Sequence, residues 1–455
     1  MSTTSGGFGR HKRKIAPLSF PGDNASLAEL EEFGLQRAGQ LNQHVLGPGD
    51  LAISEWDALG LPVPDMDEVR AYRLERTRQA IQDFDYAGVL VSDPVNVRYA
   101  TDSTNMQVWC LHMSTRYAFV PAEGPVVLFD YGNTTRHLHM HNPLINEIRP
   151  SIAFYYMRTG ENYDHFAEAW AKEIADLVKQ HGGGNKRLAI DHINPEGAHH
   201  LEGLGVEIFN GEEVMETARL IKSKEEMKAM RCAIATCEVA MTEMEKTLIP
   251  GVTENRLWSV LHAENIARGG EWIETRLLAS GQRTNPWFQE CSSQVINDGE
   301  IVAFDTDLIG PYGYCADISR TWLCGDGKAS NEQKEIFKIA KDQIDHNTEI
   351  VRPGMSFNEY IEKAQQLPEN CMPNRYGSLA HGVGLADEYP ALPYLPDWPK
   401  KKHSGGFEPG MTICIESYTG RVGGTFGVKL EDQILITETG VEVLSKYPFD
   451  ERLGG

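Results

Sequence analysis

Three carboxylates crowd one short stretch of this chain. Residues 304–322 read FDTDLIGPYGYCADISRTW, with Asp305 and Asp307 separated by one residue and Asp317 ten positions beyond. The apolar run Ile301–Phe304 predicts the buried start of a strand, on which residues i and i+2 face the same side. Gly310–Gly313 supplies turn residues, and Tyr314 onward reads as a returning strand that brings Asp317 back beside the pair. Carboxylates converging in an apolar setting repel one another and lose hydration. A multivalent cation is the simplest group that reverses that cost.

Matching ligands follow downstream. His381 lies in the glycine-rich AHGVGL, Glu416 ends the apolar run MTICIE, and Glu431 ends VKLE. Three Asp, one His and two Glu suit a dinuclear site for first-row divalent ions such as Fe, Mn, Co or Zn. Taken singly, each residue has an ordinary reading as a turn Asp, a structural His or a paired Glu. The ordered set carries the metal reading.

The elements that must position these residues fall into two groups. Up to about residue 218 helices alternate with short apolar strands, among them the stretches from Ala87, Arg116, Pro125 and Arg187. From 219 onward, two helices capped by Ser223 and Thr253 lead into a mainly β region. The expected organisation is an irregular arm over 1–50, an α/β domain over 51–218 and a catalytic domain over 219–455. His137, His139 and His141 have a spacing that would share one strand face, and are read as exposed structural histidines, with a second metal site as the other reading.

The order and wording of RLIKSKEEMKAMR, YCADISRT, HGVGL, ICIES and KLEDQILIT resemble the pita-bread metallopeptidase clan of methionine aminopeptidase, prolidase and creatinase. GVLVSDPVNVRYAT resembles the creatinase/prolidase N-terminal domain. The resemblance implies an α/β (α+β) chain, with a creatinase-like N-terminal domain followed by a pita-bread catalytic domain. It also implies a homodimer and a two-metal site formed by Asp307 or Asp305, Asp317, His381, Glu416 and Glu431.

The departures from that pattern bear on function. Thr306 stands where the clan usually has its first Asp, flanked here by Asp305 and Asp307. Trp287 stands where a substrate-binding His is expected, and Asp387 lies nearest the place of a second His after HGVGL. Loss of both removes donors that peptide hydrolysis needs. With FDTD and RYGSLAHGVGLADEYP, these changes resemble the dimethylsulfoniopropionate lyases of the clan, the DddP type. That family implies a small zwitterionic substrate cleaved to acrylate and dimethyl sulfide, with iron as the first choice of metal. Asp387 is the expected base, with Tyr376 orienting it or the substrate. Trp287, Tyr376 and Tyr389 are the expected aromatic wall for the sulfonium. A prolidase-like or creatinase-like hydrolase is the alternative, and a non-catalytic binding module would be expected to have lost ligands.

Composition sets outer limits. A net charge of −22, from 65 acids and 43 bases, argues against nucleic acid and anionic membranes as partners. The eight cysteines show no C-x-x-C pair, and the basic N-terminus lacks the apolar run of a signal peptide. A cytoplasmic protein with reduced thiols is expected.

Overall fold

The computed structural model describes residues 18–22, 25–45 and 47–454. They form two compact units. One holds Asp65–Arg219 with the described residues before position 46; the other holds Gly47–Pro64 and the chain from Leu220 onward.

The first unit is built on one mixed sheet of Gly88–Val91 (β1), Tyr117–Pro121 (β2), Val126–Asp130 (β3), Ile145–Pro150 (β4), Arg187–Ile190 (β5) and Glu207–Asn210 (β6), in the order β4-β3-β2-β1-β5-β6. β1, β2 and β3 are buried along their whole length, which is why they read as unbroken apolar runs rather than alternating ones. The helix Tyr163–His181 lays Trp170, Ile174, Leu177 and Val178 on the sheet at helical spacing.

Three expectations change here. The stretch 1–50 is not irregular throughout: Leu27–Val45 is a helix, while residues 1–17 lie outside the described residues. Its start is fixed by a reciprocal cap, in which Ser26 Oγ accepts from Glu29 N and the Glu29 carboxylate accepts from Ser26 N. Second, the helix Asp50–Leu59 belongs to the other unit, where Ala52, Ile53 and Trp56 pack on Cys232 and Ala235. Third, the His137–His141 stretch is not a strand but leaves a 3-10 helix, Asn133–Leu138. His139 and His141 are buried, because each is drawn to an internal partner: His139 Nε2 lies 2.6 Å from Asp130 Oδ2, and His141 Nε2 lies 3.1 Å from the Asp102 carbonyl.

In the second unit, Lys224–Thr247 and Glu254–Ala267 are capped by Ser223 and Thr253, the former in a full capping box with Glu226. The strands are Leu278–Ser280 (β7), Ile301–Asp305 (β8), Leu308–Ile309 (β9), Cys315–Ala316 (β10), Ser319–Leu323 (β11), Ala380–Val383 (β12), Asp387–Leu392 (β13), Thr412–Gly420 (β14), Gly427–Ile436 (β15) and Val441–Val443 (β16). They pair as β11-β8-β7, as β10-β9 and as a five-stranded sheet β13-β12-β14-β15-β16. The helices Asn331–Ile350 and Phe357–Lys363 cover the long hairpin β14–β15 with Ile336, Phe337, Ile344, Tyr360 and Ile361. Thr321 on β11 and Lys429 on β15 exchange hydrogen bonds through the Thr321 hydroxyl (2.8 and 3.0 Å), which ties the two larger sheets together.

Candidate metal centre

The acidic segment reaches its geometry by a kink rather than by simple alternation. β8 ends at Asp305, and Asp307 takes a left-handed backbone with φ of 36°. The buried Thr306 hydroxyl donates to the Ala316 carbonyl at 2.8 Å and accepts from Ile318 N at 2.9 Å. This lacing holds the Asp317 segment beside the Asp305–Asp307 segment. Oxygens of Asp305, Asp307 and Asp317 lie within 4.8 Å of one another, and all three residues are buried.

The five-stranded sheet brings the other ligands. Glu416 and Glu431 are directly opposite on β14 and β15, and His381 pairs with Cys414 on β14. His381 Nε2 lies 3.2 Å from Glu431 Oε1, 3.5 Å from Asp317 Oδ2 and 3.7 Å from Glu416 Oε1. Asp317, His381, Cys414 and Glu431 form a second group of ligand atoms within 4.8 Å of one another, sharing Asp317 with the first. The His381 Nδ1 contact to the Gly382 carbonyl, 3.0 Å, requires the proton on Nδ1, because a carbonyl only accepts. In the neutral ring Nε2 then presents its lone pair to the carboxylates. The structure therefore brings together the six residues expected as metal ligands, Asp305, Asp307, Asp317, His381, Glu416 and Glu431.

Asp387 stands at the rim. It begins β13, its side chain is 57% exposed, and Oδ1 lies 3.6 Å from His381 Nδ1. Gly384 and Glu388 shape the turn before it. The buried Glu388 carboxylate accepts from Leu385 N at 3.0 Å and pairs with Lys222 at 2.7 Å, and a Cβ at Gly384 would collide with it. Tyr376 lies against the same cluster, its ring 4.7 Å from Lys429 Nζ and stacked on Phe288 at 5.1 Å. Trp287 is buried in a cluster with Leu277, Ala303 and Tyr418, against which Tyr376 packs. Tyr389 turns its hydroxyl to the Ser404 carbonyl, 2.6 Å away, and to His403.

Sequence reasoning missed Lys429, Ser319, Thr275 and Cys414. Lys429 is fully buried, with Nζ 2.7 Å from Glu431 Oε2 and 3.0 Å from both Asp305 Oδ2 and Glu416 Oε2. Ser319 Oγ contacts Asp305 and Glu431, and Thr275 Oγ1 donates to Asp307 Oδ2. The available signal was spacing. Lys429 sits two residues before Glu431 on one strand and must share its face.

The electrostatics follow from burial and crowding. Burial, then the charges of Glu431, Asp307 and Asp305, push the Asp317 carboxyl well above its ordinary range. Burial and Asp305 do the same to Asp307. Burial raises Glu416 to about 8, against the lowering pull of Lys429. Burial also opposes ionisation of Glu431, but Lys429 and His381 outweigh it and hold that carboxyl low. Burial works against the His381 imidazolium, yet Asp387, Glu431 and Glu416 raise its pKa well above the usual value.

Divalent metal fits this donor set. Asp317 Oδ1, Glu416 Oε1 and Glu431 Oε1 are buried oxygens that accept no hydrogen bond among the described residues. Buried anionic oxygens without donors are costly unless a cation meets them. Oxygen and imidazole donors in two overlapping groups suit first-row divalent ions.

Fold and site together define the class. Residues 228–438 match metallopeptidase family M24, and residues 73–221 match the creatinase/prolidase N-terminal domain. The fold is similar to the Xaa-Pro dipeptidase of Bacillus anthracis (TM-score 0.65, 23% identity, 83% of this chain and 98% of that one). It is also similar to the prolidase of Pyrococcus horikoshii OT3 (TM-score 0.65, 22% identity, 83% and 99%). This is the creatinase-type N-terminal domain joined to a pita-bread domain. In sequence the chain is 47% identical to the dimethylsulfoniopropionate lyase DddP of Roseovarius nubinhibens, covering 91% of this chain and 94% of that protein. Identity to the protein of the same name from Roseobacter denitrificans is 44%, with the same coverage. The chain belongs to the DddP family of dimethylsulfoniopropionate lyases, within the pita-bread metallopeptidase clan.

Proposed function

We propose that this protein cleaves dimethylsulfoniopropionate to acrylate and dimethyl sulfide by β-elimination. The observation that carries the reading is Asp387, a solvent-reaching carboxylate at the rim of a buried ligand cluster, in a chain 47% identical to a lyase of that name. Asp305, Asp307, Asp317, His381, Glu416 and Glu431 would hold two divalent ions, iron first. Bound there, the ions would supply positive charge to neutralise the substrate carboxylate and the charge developing beside it.

This chain's own residues do the rest. Asp387 takes the α proton, the electron pair of that C–H bond forms the double bond, and the C–S pair leaves on sulfur. The products are acrylate, neutral dimethyl sulfide and a proton held on Asp387. The sulfonium is a good leaving group, so no strong acid is required. Burial and the nearby Glu416 keep the Tyr376 phenol protonated far above its usual range, so Tyr376 acts as a donor that orients Asp387 or the substrate, not as the base. Of the expected aromatic wall, Tyr376 is the ring that lies at the cluster and would face the sulfonium; Trp287 is buried behind it as its support, and Tyr389 packs on Phe357 and His403 instead. The chain works as a homodimer in the cytoplasm. No helix among the described residues is long and apolar enough to cross a membrane.

The test is headspace detection of dimethyl sulfide from purified, metal-analysed protein, beside an assay of X-Pro dipeptide cleavage. Dimethyl sulfide release without dipeptide cleavage is the expected result. Dipeptide cleavage without dimethyl sulfide would establish the hydrolase alternative.

A further inference from the structure

The carboxylate cluster has two poles. Glu416 and Glu431 each turn Oε1 toward His381 Nε2 and Oε2 toward Lys429 Nζ. Asp305 Oδ2 joins the ammonium pole, and Asp317 Oδ2 joins the imidazole pole. Among the described residues, the cluster oxygens that accept no hydrogen bond are Asp317 Oδ1, Glu416 Oε1 and Oε2 and Glu431 Oε1; Glu416 Oε1 and Glu431 Oε1 are turned to the imidazole pole, and Glu416 Oε2 meets Lys429 as an ion pair only. Lys429 is fully buried, donates also to Ser319 Oγ at 2.9 Å, and has the Tyr376 ring over it. Its ammonium is therefore closed off from the surface and has three anionic neighbours, Asp305, Glu416 and Glu431.

We propose that Lys429 is the resident cation of the ligand cage, a positioning residue that holds Asp305, Glu416 and Glu431 in place before metal arrives. Its charge also completes the balance of the loaded site, since two divalent ions and one ammonium together match the five carboxylates. Asp387, 3.6 Å from His381, is then the carboxylate beside the loaded site that this balance leaves unmatched. The inference rests on the proposed ligand set and is independent of which substrate is turned over.

Melting temperatures of the full chain, metal-free and with Mn²⁺ added, test it in the wild type, Lys429→Met, Lys429→Arg and the double variant Lys429→Met/Asp305→Asn. Without the ammonium, Asp305 Oδ2, Glu416 Oε2 and Glu431 Oε2 lose the shared partner that holds them together in the metal-free cage, and added metal draws them back into place. The metal-induced rise should therefore be several degrees larger in Lys429→Met than in the wild type. Lys429→Arg should restore the wild-type rise. The double variant, which removes one carboxylate with the ammonium, should recover metal-free stability. A merely structural lysine would lower both melting temperatures alike, and an unchanged or smaller rise in Lys429→Met overturns the proposal. So does failure of both Met-containing variants to fold with Mn²⁺ present, since charge balance would then not be what the ammonium supplies. No rise in the wild type would overturn the ligand set and this inference together, whereas absence of lyase activity alone would touch neither.

Discussion

Asp387 Oδ1 lies 3.6 Å from His381 Nδ1, across the hairpin of β12 and β13. The contact joins a solvent-reaching carboxylate to the one imidazole of the buried cluster. It places the proposed base beside the proposed metals without making it one of the six ligands.

The turn that carries Asp387 depends on a buried ion pair. Lys222 and Glu388 have side chains 4% and 2% exposed and meet at 2.7 Å. Breaking a buried pair by removing one partner typically costs about 3–5 kcal/mol, because the other charge is stranded. Lys222→Met should lower stability by that order in urea unfolding and reduce turnover with it. A loss under about 1 kcal/mol would mean the pair is not what fixes the turn.

Asp317 belongs to both groups of ligand atoms, and Asp307 to one. Metal analysis should therefore separate them. Asp317→Asn should drop bound metal from about two ions per chain to well below one, while Asp307→Asn should retain about one. Equal losses from the two variants would contradict a shared Asp317.

Trp287 is packed against Tyr418, with ring centroids 5.7 Å apart, in the cluster on which Tyr376 rests. Trp287→Ala should cost about 3–5 kcal/mol as a cavity forms. It should also raise KM by loosening Tyr376, whereas Trp287→Phe should keep most of both. Melting curves and steady-state kinetics check the pair.

In the first unit, burial disfavours the Asp102 carboxylate, but the hydrogen bond from His141 and the charge of Arg70 outweigh it and hold its pKa well below the usual value. A folded-state pKa depressed below the unfolded one contributes stability above the unfolded value, near 3.8, which is lost as pH falls through the folded value. Asp102→Asn should therefore destabilise the protein at pH 7, by about 3 kcal/mol for a broken buried pair. The difference from wild type should shrink in unfolding experiments at the acid end. Asn suits the left-handed backbone at this position (φ 54°), so the substitution isolates the charge.

The six proposed ligands were legible because each lies in or beside an apolar strand, Asp305 at the end of β8, Asp307 and Asp317 just outside short strands, and His381, Glu416 and Glu431 within β12, β14 and β15, where a carboxylate or imidazole stands out against Ile, Val and Phe. Ser223 and Thr253 were legible as caps for the same local reason. What sequence hid was orientation. Asp305 and Asp307 do share a site, yet through a left-handed kink at Asp307 and the lacing hydroxyl of Thr306, which no period-two rule contains. Lys429 was passed over because a lysine between apolar residues reads as a surface position until the opposing strands enclose it. The helix Leu27–Val45 was missed although its Ser-x-x-Glu cap was in view, because the basic, irregular start of the chain dominated the reading. Trp287 was chosen for what it replaces in the clan, and that criterion carries no information on its burial.

The most direct measurement is dimethyl sulfide release from dimethylsulfoniopropionate by the wild type and Asp387→Asn, each with its metal content determined. The account predicts release by the wild type and a loss of about 10²–10⁴-fold in the variant at unchanged metal content, the range for a general base. Equal release by both, at equal metal content, would contradict Asp387 as the base. No release from metal-replete wild type would contradict the lyase itself.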